Sequence, residues 1–378
     1  MNRPGAVAPP HHAGLDAVRG LAATAVVMVH VYQLYLLGGH VQSWARAGDV
    51  GVSVFFVLSG YLITASVVRD PDFSRRTFLL RRAARILPAY YVSLVVALVL
   101  VDATPLFTAG GRADVAVHLV LLHGLFPGMR YSINGVWWTL TVEVLFYLLV
   151  ALLAGVLRSV RGGWFVAGAL TVTALAWRHL AWSPDTVTTG YRMQQLPGVA
   201  DLFAAGMALA LAERTRWFRD LLARAWARAL LLGGTAVALP VVLWTYHANQ
   251  PTYYRNTHLL LVWPLALGVA TAGLILCIRT WGAASDRIAR ASGLAFLGTI
   301  SYGIYLLHPL VIGAYGPAWF QRNPAPPVVP FVLYAMAGSV LTATGLHLLV
   351  ERPGMAWARR LTSPARPDHP APRPEDTP

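Results

Sequence analysis

The chain has 378 residues, of which 56% are apolar and only 12% charged, with a mean hydropathy of +0.55. One soluble core cannot hide that much apolar surface, which excludes an ordinary water-soluble enzyme and makes lipid the expected solvent. Lysine is absent, so all 30 basic residues are arginine; their clustering between apolar stretches reads the net charge of +14 as a topology signal rather than a nucleic-acid footprint.

Apolar runs long enough to cross about 30 Å of hydrocarbon occur near 15–37, 50–69, 86–103, 136–157, 164–182, 197–213, 227–246, 257–278, 293–314 and 327–350. They predict an all-α polytopic bundle of about ten transmembrane helices. The stretch at 115–126, with His118 and His123, is too short to cross and reads as a re-entrant or surface helix. Residues 1–14 lack the apolar core of a cleavable signal peptide, so the first helix is expected to be retained as an anchor. With both termini cytoplasmic, only Arg46, Arg112, Arg130, Arg178, Arg192, Arg255 and Arg322 fall on the outer side, an asymmetry that supports an even number of spans. The expected division is a membrane domain over 1–355 and a disordered cytoplasmic tail over 356–378, rich in Pro and Arg.

The first span, LDAVRGLAATAVVMVH, carries Arg19 and His30 eleven residues apart. At about 100° per residue this spacing puts them within about 20° on one face, with an axial rise of about 16 Å between them. The second span carries Ser59 and Gly60, where Gly allows a helix or ligand to approach closely. Arg81, Arg82 and Arg85 then crowd the cytoplasmic start of the third span, a guanidinium cluster suited to phosphate or, more plainly, to anchoring at the inner surface.

In the fourth span, Glu143 reads as the only carboxylate well inside the hydrocarbon, at a depth similar to His30. Pairing between the two is expected to fix the imidazole's tautomer and balance its charged form. In the ninth span Ser301, Tyr305 and His308 share a helix face, and His308 is expected to position structure or substrate rather than react. His30, Ser59, Glu143 and His308 thus come from four helices at comparable expected depth. His11, His12, His40, His179 and His369 read as loop or tail residues. Cys277 is the single cysteine and, lying in an apolar run, is given no role.

Taken in order, LDAVRGLAATAVVMVH, FFVLSGYLI, RRAARILPAYY, WWTLTVEVLFY, DLFAAGMALA, SYGIYLLHPL and the closing ERP give the chain its resemblance to the acyltransferase 3 family of integral membrane acyltransferases, over nearly its whole length. The resemblance implies a multi-pass protein of the plasma membrane that transfers an acyl group, commonly acetyl, from acyl-CoA on the cytoplasmic side. The implied acceptor is a hydroxyl of a glycan or of a glycosylated small molecule such as an antibiotic. Carried over by motif, His30 is the base with Glu143 beside it, Arg19, Arg82 and Arg85 bind acyl-CoA, and Ser59, Gly60, Tyr305 and His308 serve the substrate or the oxyanion. Acyl-CoA enters as co-substrate, and no permanently bound cofactor is expected.

General-base catalysis on an already activated thioester contributes typically ~10²–10⁴-fold. A transporter with a His–Glu proton relay is the competing reading; it predicts inverted repeats, and the sequence shows no convincing pair of matching halves. A metal site is not expected, because neither an HExxH motif nor a cysteine pattern accompanies the intramembrane histidines.

Overall fold

The computed structural model of the protein describes residues 12–36, 43–323 and 327–362, and these form an all-helical bundle. The first half comprises α1 (Ala13–Leu36), α2 (Val50–Arg69), α3 (Arg75–Val96), the short α4 (Ala109–Leu119), α5 (Trp138–Leu157) and α6 (Val160–Leu180). The bent pair α7 (Thr186–Met193) and α8 (Leu196–Ala212) follows, then α9 (Arg216–Ala223), α10 (Ala225–Asn249) and α11 (Thr257–Trp281). The chain closes with α12 (Ala283–Ala291), α13 (Leu294–Thr299), α14 (Ser301–Arg322), α15 (Val328–Leu346) and α16 (Arg352–Thr362).

Nine of the ten apolar stretches each fall on one helix, whereas 293–314 is broken at Ile300 between α13 and α14. Among the described residues, seven helical segments are long and apolar enough to cross a membrane, or eight if the α7–α8 pair, bent by 42°, is one span. The helices at 160–180 and 301–322 are not among them; α14 contains Pro309 and Pro317. Local starts follow from polar caps: Ser74, Thr108, Ser159, Asp185 and Asn256 each accept a hydrogen bond from the first turn of α3, α4, α6, α7 and α11. Large apolar side chains such as Leu152, Phe165, Leu341 and Leu349 stay exposed, as expected of surfaces that face lipid.

The most extensive packing is α2 on α8, and glycine makes it possible. A Cβ on Gly60 would collide with the Phe203 carbonyl, and one on Gly206 would collide with the Val57 carbonyl, so the two backbones touch where side chains would hold them apart. Gly60, expected at the ligand, is therefore assigned by the structure to helix packing. Beside this crossing, Arg178 of α6 forms a buried bidentate pair with Asp201 of α8 and also donates to the Gly198 carbonyl at 2.9 Å. Asp201 is thus a second deeply placed carboxylate, which sequence reading missed because the partner that makes its burial tolerable lies 23 positions away.

The first residues of the stretch expected to be tail, 356–362, are helical. Residues 352–362 form α16, which packs on α3 and brings Thr362 within 2.9 Å of Arg81, while 363–378 lie outside the described residues.

Candidate functional site

Three cavities are strung along α2. At its C-terminal end, a mouth of about 360 Å³ is lined by Arg19, Arg69, Arg85, Arg279, His12 and Glu351. Midway, a chamber of about 80 Å³ is lined by Arg19, Ser59, Arg82, Arg85, Glu143 and Tyr305. At the N-terminal end, a cavity of about 120 Å³ opens between Asp49 and the aromatic rings of α10 and α11. Neighbours share walls: Arg19, Leu62 and Arg85 border both mouth and chamber, while Val52 and Phe56 border both chamber and third cavity.

The chamber joins six of the expected site residues from α1, α2, α3, α5 and α14. Arg82 lies 5.6 Å from the Phe78 ring and 5.8 Å from the Tyr147 ring, and its buried Nε has no hydrogen-bond partner. Arg19 sits 3.8 Å from Asp16. Glu143 accepts from Ser59 at 3.5 Å and from the Tyr147 hydroxyl. A chamber with cationic walls and one tethered carboxylate is suited to an anionic, hydrogen-bonding ligand.

At the mouth Glu213 is a hub, accepting from Arg279 at 2.6 Å, Arg69 at 2.8 Å and the Tyr61 hydroxyl at 2.9 Å. Arg279 also donates to His12 at 3.0 Å. Burial and the adjacent Arg279 charge hold the His12 imidazole below its usual range, in keeping with its acceptor role. Sequence reading gave Arg69 and Arg279 only a topological meaning and His12 none; Glu213, 144 and 66 positions from the two arginines, carried no local signal.

The histidines form a separate unit. His308 is fully buried, and its Nδ1 lies 3.0 Å from the Ile304 carbonyl, which can only accept. That proton assignment leaves His308 Nε2 as a lone pair, 3.2 Å from His30 Nδ1. His30 Nδ1 is itself 2.8 Å from the Val26 carbonyl and so must also carry a proton, shared between carbonyl and imidazole. The chain of donors thus fixes both tautomers without any carboxylate. His30 Nε2, the remaining lone pair, makes no hydrogen bond among the described residues, and the side chain is partly exposed.

The expected His30–Glu143 pair is therefore not formed; His308 takes the place given to Glu143. Depth counting failed because it set each helix from its own assumed boundary. Ser59 and Glu143 share the chamber with Arg19, whereas His30 lies about 16 Å further along α1. Tyr305 links the two units, lining the chamber with its ring centroid 6.1 Å from that of His308. The oxyanion role expected of Ser59, Tyr305 and His308 finds no free donor in this arrangement. Ser59 donates to Glu143, Tyr305 donates to the Val136 carbonyl at 2.6 Å, and His308 presents a lone pair.

The short stretch read as re-entrant or surface structure folds as the end of α4 plus a turn, which exposes Leu119, Val120, Leu125 and Phe126 but buries both histidines. His118 and His123 are fully buried with their rings stacked 4.0 Å apart. Burial and the neighbouring His118 push the His123 imidazole down to about 3, so it stays neutral at physiological pH.

Comparison with known proteins places this geometry in context. A model of the acyltransferase domain matches residues 12–344. The peptidoglycan O-acetyltransferase OatA of Listeria monocytogenes is 28% identical over 79% of the chain, which spans 49% of that protein's length. A candidate membrane-bound transacylase of Komagataeibacter xylinus, BcsY, is 28% identical over 93% of the chain and 85% of its own length. Nodulation protein 10 of Rhizobium leguminosarum bv. viciae is 25% identical over 93% and 97%, respectively. No solved structure matches the chain.

Proposed function

The chain belongs to this acyltransferase family, and on that premise we propose that it is a multi-pass O-acyltransferase of the plasma membrane. It moves an acyl group, in the simplest case acetyl, from acyl-CoA to a hydroxyl of a carbohydrate or a glycosylated small molecule. The observation that carries the reading is the His30–His308 arrangement, which leaves one unprotonated nitrogen on a partly exposed imidazole beyond a cationic passage.

The arginine mouth, taken as the cytoplasmic end, receives the phosphates of CoA on Arg19, Arg85, Arg69 and Arg279, with Arg82 further in. The thioester arm then extends through the chamber and past Tyr305 toward the histidines. There the acceptor hydroxyl gives its proton to His30 Nε2 as its oxygen attacks the thioester carbonyl. The tetrahedral intermediate collapses to the ester, and the CoA thiolate leaves and takes the proton back from His30. As the ring becomes cationic, its Nδ1–H bonds to Val26 and His308 strengthen, the role a carboxylate plays in many triads.

The test is product formation. The purified protein in lipid nanodiscs is incubated with acetyl-CoA and a panel of glycans and glycosylated small molecules, and masses are read before and after hydroxylamine. A mass gain of one acetyl group, removed by hydroxylamine and lost in His30→Ala, is expected. CoA release with no acceptor ester, or ester formation that survives His30→Ala, contradicts the reading.

A further inference from the structure

The third cavity is not used by the donor path and has a different chemistry from it. Its wall carries Asp49, whose Oδ2 accepts from the Tyr246 hydroxyl at 2.5 Å and whose buried Oδ1 has no partner. Although Asp49 stands at the start of α2, its side chain makes no capping bond there. Around it, Tyr246 and Trp263 stack at 4.3 Å and Tyr253 packs edge-on to both. The Tyr253 hydroxyl makes no hydrogen bond among the described residues. Among the described residues, the only guanidinium on the wall, Arg178, is occupied by Asp201.

The position matters as much as the lining. Gly48, adjacent to Asp49, packs against α1 at Ala25 and Val29, one residue from His30, so cavity and histidine pair lie at one level of the bundle. The Arg69 end of α2, at the mouth, is about 30 Å away by helical rise.

Resting on the acyl-transfer reading above, we propose that this cavity holds the acceptor through a neutral, hydroxyl-rich ring. Asp49 accepts hydrogen bonds from two neighbouring hydroxyls' worth of donors, one from Tyr246 and one from the ligand, while the aromatic rings cover the ring's apolar C–H face. The unneutralised carboxylate excludes rings that carry their own carboxylate. A volume of about 120 Å³ fits part of the acceptor, leaving the reacting hydroxyl directed to His30.

The experiment is equilibrium binding, which needs no turnover. Methyl glucoside, methyl N-acetylglucosaminide and methyl glucuronide are titrated into wild type, Asp49→Asn, Tyr253→Phe and His30→Ala in nanodiscs, and tryptophan emission is followed, since Trp138 and Trp263 line the cavity. At least one neutral glycoside is expected to bind saturably to wild type and His30→Ala, with the glucuronide at least tenfold weaker. Asp49→Asn, whose amide oxygen still accepts from Tyr246, is expected to raise Kd about tenfold and Tyr253→Phe about threefold. Absence of saturable binding by either neutral glycoside, or equal binding by wild type and both cavity variants, overturns the proposal. Binding as expected without any acyl transfer sinks only the catalytic reading; transfer with unchanged binding in both cavity variants sinks only this one.

Discussion

At the mouth, Arg19, Arg69, Arg85 and Arg279 are interleaved with Asp16, Glu213 and Glu351, and Glu213 alone serves two guanidiniums. At the histidine pair, by contrast, the hydrogen bonds of the two rings run to backbone carbonyls and to each other. The difference follows from what each region must tolerate. Phosphates are large, multiply charged and hydrated, so a loose set of cations with movable counter-ions holds them well. A proton acceptor needs one nitrogen kept unprotonated in one direction, and neutral acceptors achieve this without charging a buried site.

The sharpest way to break this division is His30→Ala, which is expected to lower kcat by about 10³-fold while leaving the donor KM within a small factor; a changed donor KM with intact kcat would move His30 into the binding region. His308→Ala should cost about 10–100-fold in kcat, and His308→Gln, whose carbonyl can still accept from His30 Nδ1–H, should recover part of it. Equal losses in the two variants would make His308 a packing residue. Arg19→Ala and Arg85→Ala should each raise the donor KM about tenfold, an effect that disappears with an acylated pantetheine lacking phosphates. If the phosphate-free donor suffers equally, the mouth does not recognise phosphate.

Smaller effects sharpen the boundary. Gly60→Ala should cost about 1–3 kcal/mol of stability through the Phe203 carbonyl, lowering the melting temperature with KM values unchanged. Glu143→Gln, which can keep its bonds to Ser59 and Tyr147, should leave the pH profile of kcat in place. A shifted profile would restore the direct Glu143–His30 coupling that the structure does not show.

The all-helical character was legible because span-length apolar runs follow from the bilayer itself. The chamber was legible in its members: Arg19, Ser59, Arg82, Arg85, Glu143 and Tyr305 all stand out as polar groups on apolar helices. What escaped is how helices slide along one another. The Gly48 contact on α1 and the Gly60–Gly206 crossing set those offsets, and no periodicity encodes them. Hence Glu143 was paired with His30, although its bonds run to Ser59 and Tyr147, and Gly60, open to a helix or a ligand on sequence, was given to the substrate. Glu213, Asp49 and Asp201 were missed because each acquires meaning only from partners distant in sequence.

The most direct measurement is acceptor-dependent release of CoA from acetyl-CoA by wild type and His30→Ala, both shown to fold equally by circular dichroism and thermal melting. Release by wild type that depends on a hydroxylated acceptor and falls about 10³-fold in His30→Ala is the predicted result. Release unchanged by the substitution would contradict the assignment of His30 as the base.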